Sequence, residues 1–237
     1  MTRLQVSSTQ TPLNVDISSI MPQQVMTTEQ FYAFCKANKN LRIERTAKGE
    51  VVVMPPAFSD TGNRNFKIAV QLGIWAEKDG TGEGFDSSAG FTLPNGAMRS
   101  PDAAWIKLER WNALAAEQKS SFAPICPDFV IELRSASDSL SALQDKMQEY
   151  IQNGVQLGLL VDRKQQTVHV YRPDCAPQVI DNPQQVDCSP ELPNFRLSMT
   201  KIWEANVAGN IASNTASLEK KSNLSFTTSR RCHSLLK

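Results

Sequence analysis

Cysteine is scarce and unpaired in pattern. The five present, Cys35, Cys126, Cys175, Cys188 and Cys232, are scattered, odd in number and contain no C-x-x-C. That excludes a disulfide framework and a structural zinc ribbon, and it points to a reducing compartment such as the cytoplasm. Histidine is scarcer still. His169 and His233 are too few and too far apart for a histidine-based zinc site or a Ser-His-Asp triad. No apolar run approaches the roughly 20 residues of a membrane-spanning helix. Surplus charge is also missing. A net charge of +1 shows no overall basic field, although a local basic groove is compatible with a neutral total. The glycines between Gly80 and Gly90 have neither Walker nor dinucleotide-loop spacing.

What is present suits a packed core: 41% of the 237 residues are hydrophobic and 21% charged. The length fits one domain with tails. Residues 1–24 are rich in Ser, Thr, Gln and Pro and lack the basic-then-apolar order of a secretory leader, so they read as a flexible arm. Residues 206–237 are dominated by Asn, Ser and Thr, with Lys220-Lys221 and Arg230-Arg231 as a basic tilt, and read as a disordered tail. The domain is expected over residues 25–205.

Within it, Thr27 to Asn38 reads as a helix opened by a Thr27/Gln30 capping box. Leu41 to Glu44 and Val51 to Met54 flank Lys48-Gly49 as a hairpin. A longer helix is expected from Thr61 to Lys78, with Phe66, Ala69, Val70, Gly73, Ile74 and Ala76 as its apolar positions. Strands follow around Phe85, Phe91 to Leu93 and Met98 to Ile106, with Pro94-Asn95-Gly96 as a turn, and Lys107 to Gln118 covers the sheet as helix or loop. Phe129 to Leu133 is apolar except for Glu132, as befits a central strand buried on both faces. Asp138 is positioned to cap a helix with the stripe Leu140, Leu143, Met147, Tyr150 and Ile151, ended by Asn153-Gly154. Val155 to Val161 and Thr167 to Tyr171 form a hairpin, and Phe195 to Trp203 adds a last edge element. The order predicts an α/β (α+β) fold: a mixed central sheet flanked by helices, with an N-terminal helix and hairpin extension.

Two carboxylates stand where carboxylates are costly. Asp102 leads into the apolar strand Ala103-Ala104-Trp105-Ile106, and Glu132 sits inside Phe129-Val130-Ile131-Glu132-Leu133. Burial of such a group requires a cationic partner or a metal ion. Each residue alone reads as a structural ion pair or an edge residue. Arg134 shares a strand face with Glu132 by alternation, and Lys146 lies at the edge of the following helix's apolar stripe, within reach of the sheet. Alone, Lys146 reads as a surface lysine and Glu44 as a polar hairpin residue.

The ordered set Ser100-Pro101-Asp102-Ala103-Ala104-Trp105, Pro127-Asp128-Phe129-Val130-Ile131-Glu132-Leu133-Arg134-Ser135, Asp145-Lys146-Met147-Gln148-Glu149-Tyr150 and Asn153-Gly154-Val155 resembles a large restriction endonuclease-like family abundant in cyanobacteria, within the PD-(D/E)XK superfamily. The resemblance runs from Met26 to Trp203. It implies a restriction endonuclease-like core, with Asp102, Glu132 and the Leu133 carbonyl as ligands of Mg²⁺ or Mn²⁺ and Glu44 as a further acidic member. The superfamily's E-x-K lysine is here Arg134, and Lys146 looks like its replacement. Ala136 stands where many relatives have proline.

The function implied is a metal-dependent endonuclease acting on DNA. The alternative is an inactive nuclease fold that binds nucleic acid or a protein partner, favoured by Arg134 in place of lysine and by the neutral charge. A regulatory protein of toxin–antitoxin type reusing the fold is a third class. A homodimer is expected, with apolar contact near Trp105, Trp111 or Trp203, although core packing accounts for those tryptophans equally well.

Overall fold

The computed structural model describes residues 25–54 and 56–204; the expected N-terminal arm and C-terminal tail lie outside them. The chain opens with helix α1 (Thr28–Ala37), where the capping box forms as the sequence predicts. The Gln30 N–H donates to Thr27 Oγ1 and the Thr27 N–H to Gln30 Oε1. Strands β1 (Arg42–Arg45) and β2 (Val51–Met54) make the expected antiparallel hairpin. It joins β5 (Met98–Arg99) and β4 (Phe91–Thr92) in a four-stranded sheet ordered β2-β1-β5-β4. Phe31, Phe34, Ile43 and Met98 bury against one another beneath it.

The central sheet has six strands in the order β10-β9-β8-β7-β6-β3: β10 (Gln178–Asp181), β9 (Thr167–Tyr171), β8 (Leu157–Asp162), β7 (Phe129–Leu133), β6 (Ala103–Lys107) and β3 (Gly82–Asp86). It is mixed, because β7 and β8 run parallel while the other neighbours run antiparallel. The parallel step follows from the crossover between them, helix α5 (Leu140–Gln152). All five β7 residues are buried, as a strand covered on both faces requires.

Alternation along β7 divides the core. Phe129, Ile131 and Leu133 join Ala103, Trp105, Leu157 and Leu159 against helix α2 (Ser59–Asp79). Val130, with Ala104, Ile106 and Leu160, packs on the other face against Met147 and Tyr150 of α5. The chain ends its described part with the ribbon β11 (Gln185–Asp187) and β12 (Arg196–Ser198) and the short helix α6 (Thr200–Trp203). Sequence reading missed β10 and β11, and the segment from Phe195 pairs with β11 instead of extending the main sheet.

Several local expectations are corrected. Helix α2 buries Thr61, Arg64, Ile68, Leu72, Trp75 and Ala76, whereas Phe66, Val70 and Ile74 of the expected apolar stripe are exposed. The buried stripe was disguised by Arg64, whose Nε donates to the Ile202 carbonyl (2.6 Å) and whose guanidinium pairs with Asp60. The α5 cap is Ser139, whose Oγ accepts from the Ala142 N–H; Asp138 accepts instead from the Ser135 N–H. Residues 107–118, expected as helix or loop, hold both: α3 (Leu108–Asn112), a short link and the start of α4 (Ala116–Lys119). His169 is buried, its ring near Thr167 Oγ1, and that burial lowers its pKa.

Gly82 marks a close approach to backbone in the sheet: a Cβ there would lie 2.4 Å from the Ile106 carbonyl oxygen and from the Trp105 ring. Gly82→Ala should therefore destabilise the domain by roughly 1–3 kcal/mol. The check is a lower urea midpoint at unchanged slope; an unchanged midpoint would refute the crowding.

Candidate active site

Glu132 takes the α5-facing parity of β7, between Ile131 and Leu133, which face α2. That parity aims its carboxylate at the two α5 residues spaced one turn apart, Lys146 and Tyr150. Lys146 Nζ lies 2.8 Å from Glu132 Oε1, and the Tyr150 hydroxyl donates to the same oxygen (3.0 Å). The ammonium also reaches Glu44 Oε1 of β1 at 2.9 Å. Glu44 further accepts from the Ser100 N–H (2.9 Å) and pairs with Arg99 (3.2 Å), which in turn holds Glu149 of α5 (2.6 Å). A half-buried to buried chain of alternating charge therefore runs Glu149, Arg99, Glu44, Lys146, Glu132.

The charges set one another's protonation. Burial alone would lower the Lys146 pKa, but the Glu132 and Glu44 carboxylates outweigh it and hold the ammonium above its ordinary range. Burial would raise Glu44, yet Lys146, Arg99 and the Ser100 N–H keep its carboxyl below the usual range. Glu132 is different. Burial dominates, Lys146 opposes it, and the negative charges of Asp102 and Glu44 add to it, so its carboxyl is pushed up to about 7.

Asp102 sits just before β6, next to β7. Its Oδ2 accepts from the Leu133 N–H (2.9 Å), and its Oδ1 accepts from Asn65 Nδ2 of α2 (3.0 Å) and Arg42 Nη1 of β1 (3.3 Å). Arg42 is anchored in turn on the Ser100 carbonyl by Nη2 (2.6 Å). Asp102, Glu132, Leu133 and Lys146 all line one cavity of about 250 Å³, with Arg42, Asn65 and the Ser135–Ser137 loop on its walls. The expected convergence of two carboxylates and a helix-borne amine is thus present.

The donor set suits a hard divalent cation. Both carboxylates and the Leu133 carbonyl offer oxygen alone, and among the described residues Glu132 Oε2 accepts no hydrogen bond. Among the described residues no group of three His, Cys, Asp or Glu forms a complete cage. Mg²⁺ is commonly held by one or two carboxylates, with waters and phosphate oxygens completing the shell, so the site fits it. Glu44 does not line this cavity, its oxygens being turned to Ser100, Lys146 and Arg99, so it is not placed as a ligand.

Arg134 is the sequence candidate that the fold directs elsewhere. It follows the last residue of β7, and its guanidinium pairs with buried Asp162 (2.6 Å) and donates to the Asp138 carbonyl (3.2 Å). Alternation carries a side chain to a predicted face only while the strand continues, and β7 stops at Leu133.

A family model described as Uma2, "Putative restriction endonuclease", matches residues 28–200. The chain belongs to the Uma2 family. A solved structure described as a "putative nuclease belonging to DUF820", from Anabaena variabilis ATCC 29413, superposes with TM-score 0.59 at 20% identity, covering 68% of this chain and 89% of that one. At that identity the likeness carries the fold. No curated protein matches the chain.

Sequence reading of this Uma2 chain missed Arg42, Asn65 and Arg99. Arg42 had a signal: it stands two residues before Glu44 on a strand, hence on the same face. Asn65 had none, because one polar residue on an exposed helix turn is ordinary. No described helix is long and apolar enough to cross a membrane.

The raised Glu132 pKa has a sign that can be measured. Between 4.5, its ordinary value, and about 7, the native state keeps a proton that the unfolded chain has released. Stability conferred by that proton is complete below the ordinary value and is lost as pH rises through the native one. In chelator, the urea midpoint of wild type should fall between pH 5 and 8 relative to Glu132→Gln, which carries no such proton. Parallel pH profiles for the two proteins would contradict the assignment.

Proposed function

We propose that this protein is a divalent-metal-dependent endonuclease that hydrolyses phosphodiester bonds of DNA. The observation that carries the reading is the shared cavity of Asp102 and Glu132 with Lys146 Nζ at 2.8 Å from Glu132. Family membership and the nuclease-like fold support the class of chemistry.

Asp102, Glu132 and the Leu133 carbonyl would hold Mg²⁺ or Mn²⁺. When bound, such an ion neutralises phosphate charge and lowers the pKa of a coordinated water. Lys146 remains charged and sits beside Glu132, so its ammonium is suited to orienting the attacking water or to stabilising negative charge as it develops. Arg99 and Glu44 keep that ammonium in place, and Tyr150 fixes the Glu132 carboxylate. Arg42, partly exposed at the cavity wall, is suited to gripping a phosphate oxygen. Arg134 takes no part, since Asp162 occupies it. The position of the superfamily's missing lysine is thereby covered by Lys146, which weakens the reading of an inactive, binding-only fold.

A homodimer, each copy carrying one such centre, is part of the proposal. The tryptophans expected at the contact belong elsewhere: Trp105 is in the core, and Trp203 packs on it with its Nε1 donating to the Pro183 carbonyl. Val70 and Ile74 on the outer face of α2 are better placed for a second copy.

Asp102→Ala and Glu132→Ala should each abolish Mg²⁺ or Mn²⁺ binding in calorimetry; unchanged affinity in both would remove the metal assignment. Lys146→Ala should bind the ion and fail to nick supercoiled plasmid, its rate down by at least about 100-fold. Full cleavage by a folded Lys146→Ala protein would move the role to another residue.

A further inference from the structure

The catalytic cavity does not end at Asp102. A second cavity of about 480 Å³ adjoins it, and the two share Arg42, Met54, Pro56, Ala57, Asn65 and Asp102 as a common wall. Together they form one groove that passes the Asp102 carboxylate on both sides. Phe58 lines the catalytic half and Phe66 the other. Their exposures are 74% and 66%, while every other phenylalanine among the described residues is buried or half-buried. Both belong to the start of α2, Phe58 as its cap residue, eight positions apart or roughly 12 Å of helical rise.

The charge of the groove is equally informative. A duplex carries twice the phosphate charge of a single strand per unit length and calls for more Lys and Arg, whereas a single strand, though also held by basic groups, gains much of its binding from stacking on aromatic rings. The only Lys and Arg lining this groove, among the described residues, are Arg42 and Lys146. Lys146 is committed to Glu132 and Glu44, and Asp86 and Asp138 add negative charge to the walls. Two exposed aromatic faces beside one accessible guanidinium form a surface for unpaired bases, which stack on a ring whatever their sequence.

We infer that the groove takes a single strand, or an unpaired stretch, of nucleic acid, with Phe58 and Phe66 stacking bases on either side of the scissile phosphate. Phe58 holds the strand on the Lys146 side and Phe66 on the Asp86 side, while Arg42 between them meets the backbone. This rests on the phosphodiester reading of the same site and narrows its substrate. Both rings point to solvent, so their removal leaves the core intact.

The test uses the full-length chain carrying Asp102→Asn, to prevent cutting, and fluorescein-labelled 20-nucleotide DNA, single-stranded or annealed to its complement. Anisotropy should show the single strand bound at least about tenfold more tightly. Phe58→Ala and Phe66→Ala should each weaken it by roughly tenfold, the size of one base–aromatic stack, while Phe58→Trp retains binding. Equal or tighter duplex binding, or alanine variants with unchanged affinity, would overturn the inference. So would a Phe66→Ala protein that sediments as monomer where the parent is dimeric while binding the strand normally, because the ring would then belong to a second copy. Wild-type cleavage assays on both DNA forms separate the two readings. Cutting of duplex without single-strand binding sinks this inference alone; ring-dependent strand binding without any cutting sinks the nuclease reading alone.

Discussion

One ammonium ties the two larger sheets together. Lys146 of α5 lies 2.9 Å from Glu44, on the four-stranded sheet, and 2.8 Å from Glu132, on the six-stranded sheet. All three side chains are nearly excluded from water, and removing one partner from such a set typically costs about 3–5 kcal/mol, because the others are left buried and uncompensated. This contact, together with the bonds from Arg42 to Asp102 and the Ser100 carbonyl, fastens the hairpin extension to the central sheet, and Lys146 lines the cavity. The same ammonium lines the cavity that Asp102 and Glu132 share, so the interaction that joins the sheets also shapes the candidate site.

Around that ammonium, each element contributes according to its own geometry. The two-residue period of β7 sends Ile131 and Leu133 to one layer and Glu132 to the other. The four-residue spacing on α5 brings Lys146 and Tyr150 to the same carboxylate. The parallel pairing of β7 with β8 requires a crossover, and α5 is that crossover, so topology delivers the lysine to the end of the strand. Asp102 is held by groups from three other places, the Leu133 N–H, Asn65 and Arg42, which fix the orientation of its oxygens. The chain belongs to the Uma2 family and shares its fold with the solved Anabaena variabilis structure.

The outward face of α2 shows how an exposed apolar stripe can mislead a hydrophobic reading. Phe66, Val70 and Ile74 recur at a helical spacing and look like a core stripe, yet they face solvent. The true buried stripe includes Arg64, acceptable there because its guanidinium is paired with Asp60 and bonded to the Ile202 carbonyl. Periodicity reports that a helix has an apolar face; it does not report which of two candidate faces finds a partner. Apolar residues left outside by the fold are the ones for which a binding role is worth seeking.

Local rules acting on neighbouring residues were enough to establish the α1 capping box, the β1–β2 hairpin, the buried β7 strand with its misplaced carboxylate, and the end of α5 at Asn153-Gly154, whereas Glu44 and Lys146 became candidates through the resemblance to the restriction endonuclease-like family. Turn chemistry, capping and strand or helix period act over a few residues, so a linear chain records them. Tertiary structure alone decided that Glu44 grips Lys146 instead of facing the cavity, that Arg134 turns away to Asp162, and that Arg42 and Asn65 hold Asp102. Those pairings join residues many positions apart, and a buried charge selects its partner by distance in the folded core, which sequence spacing does not encode.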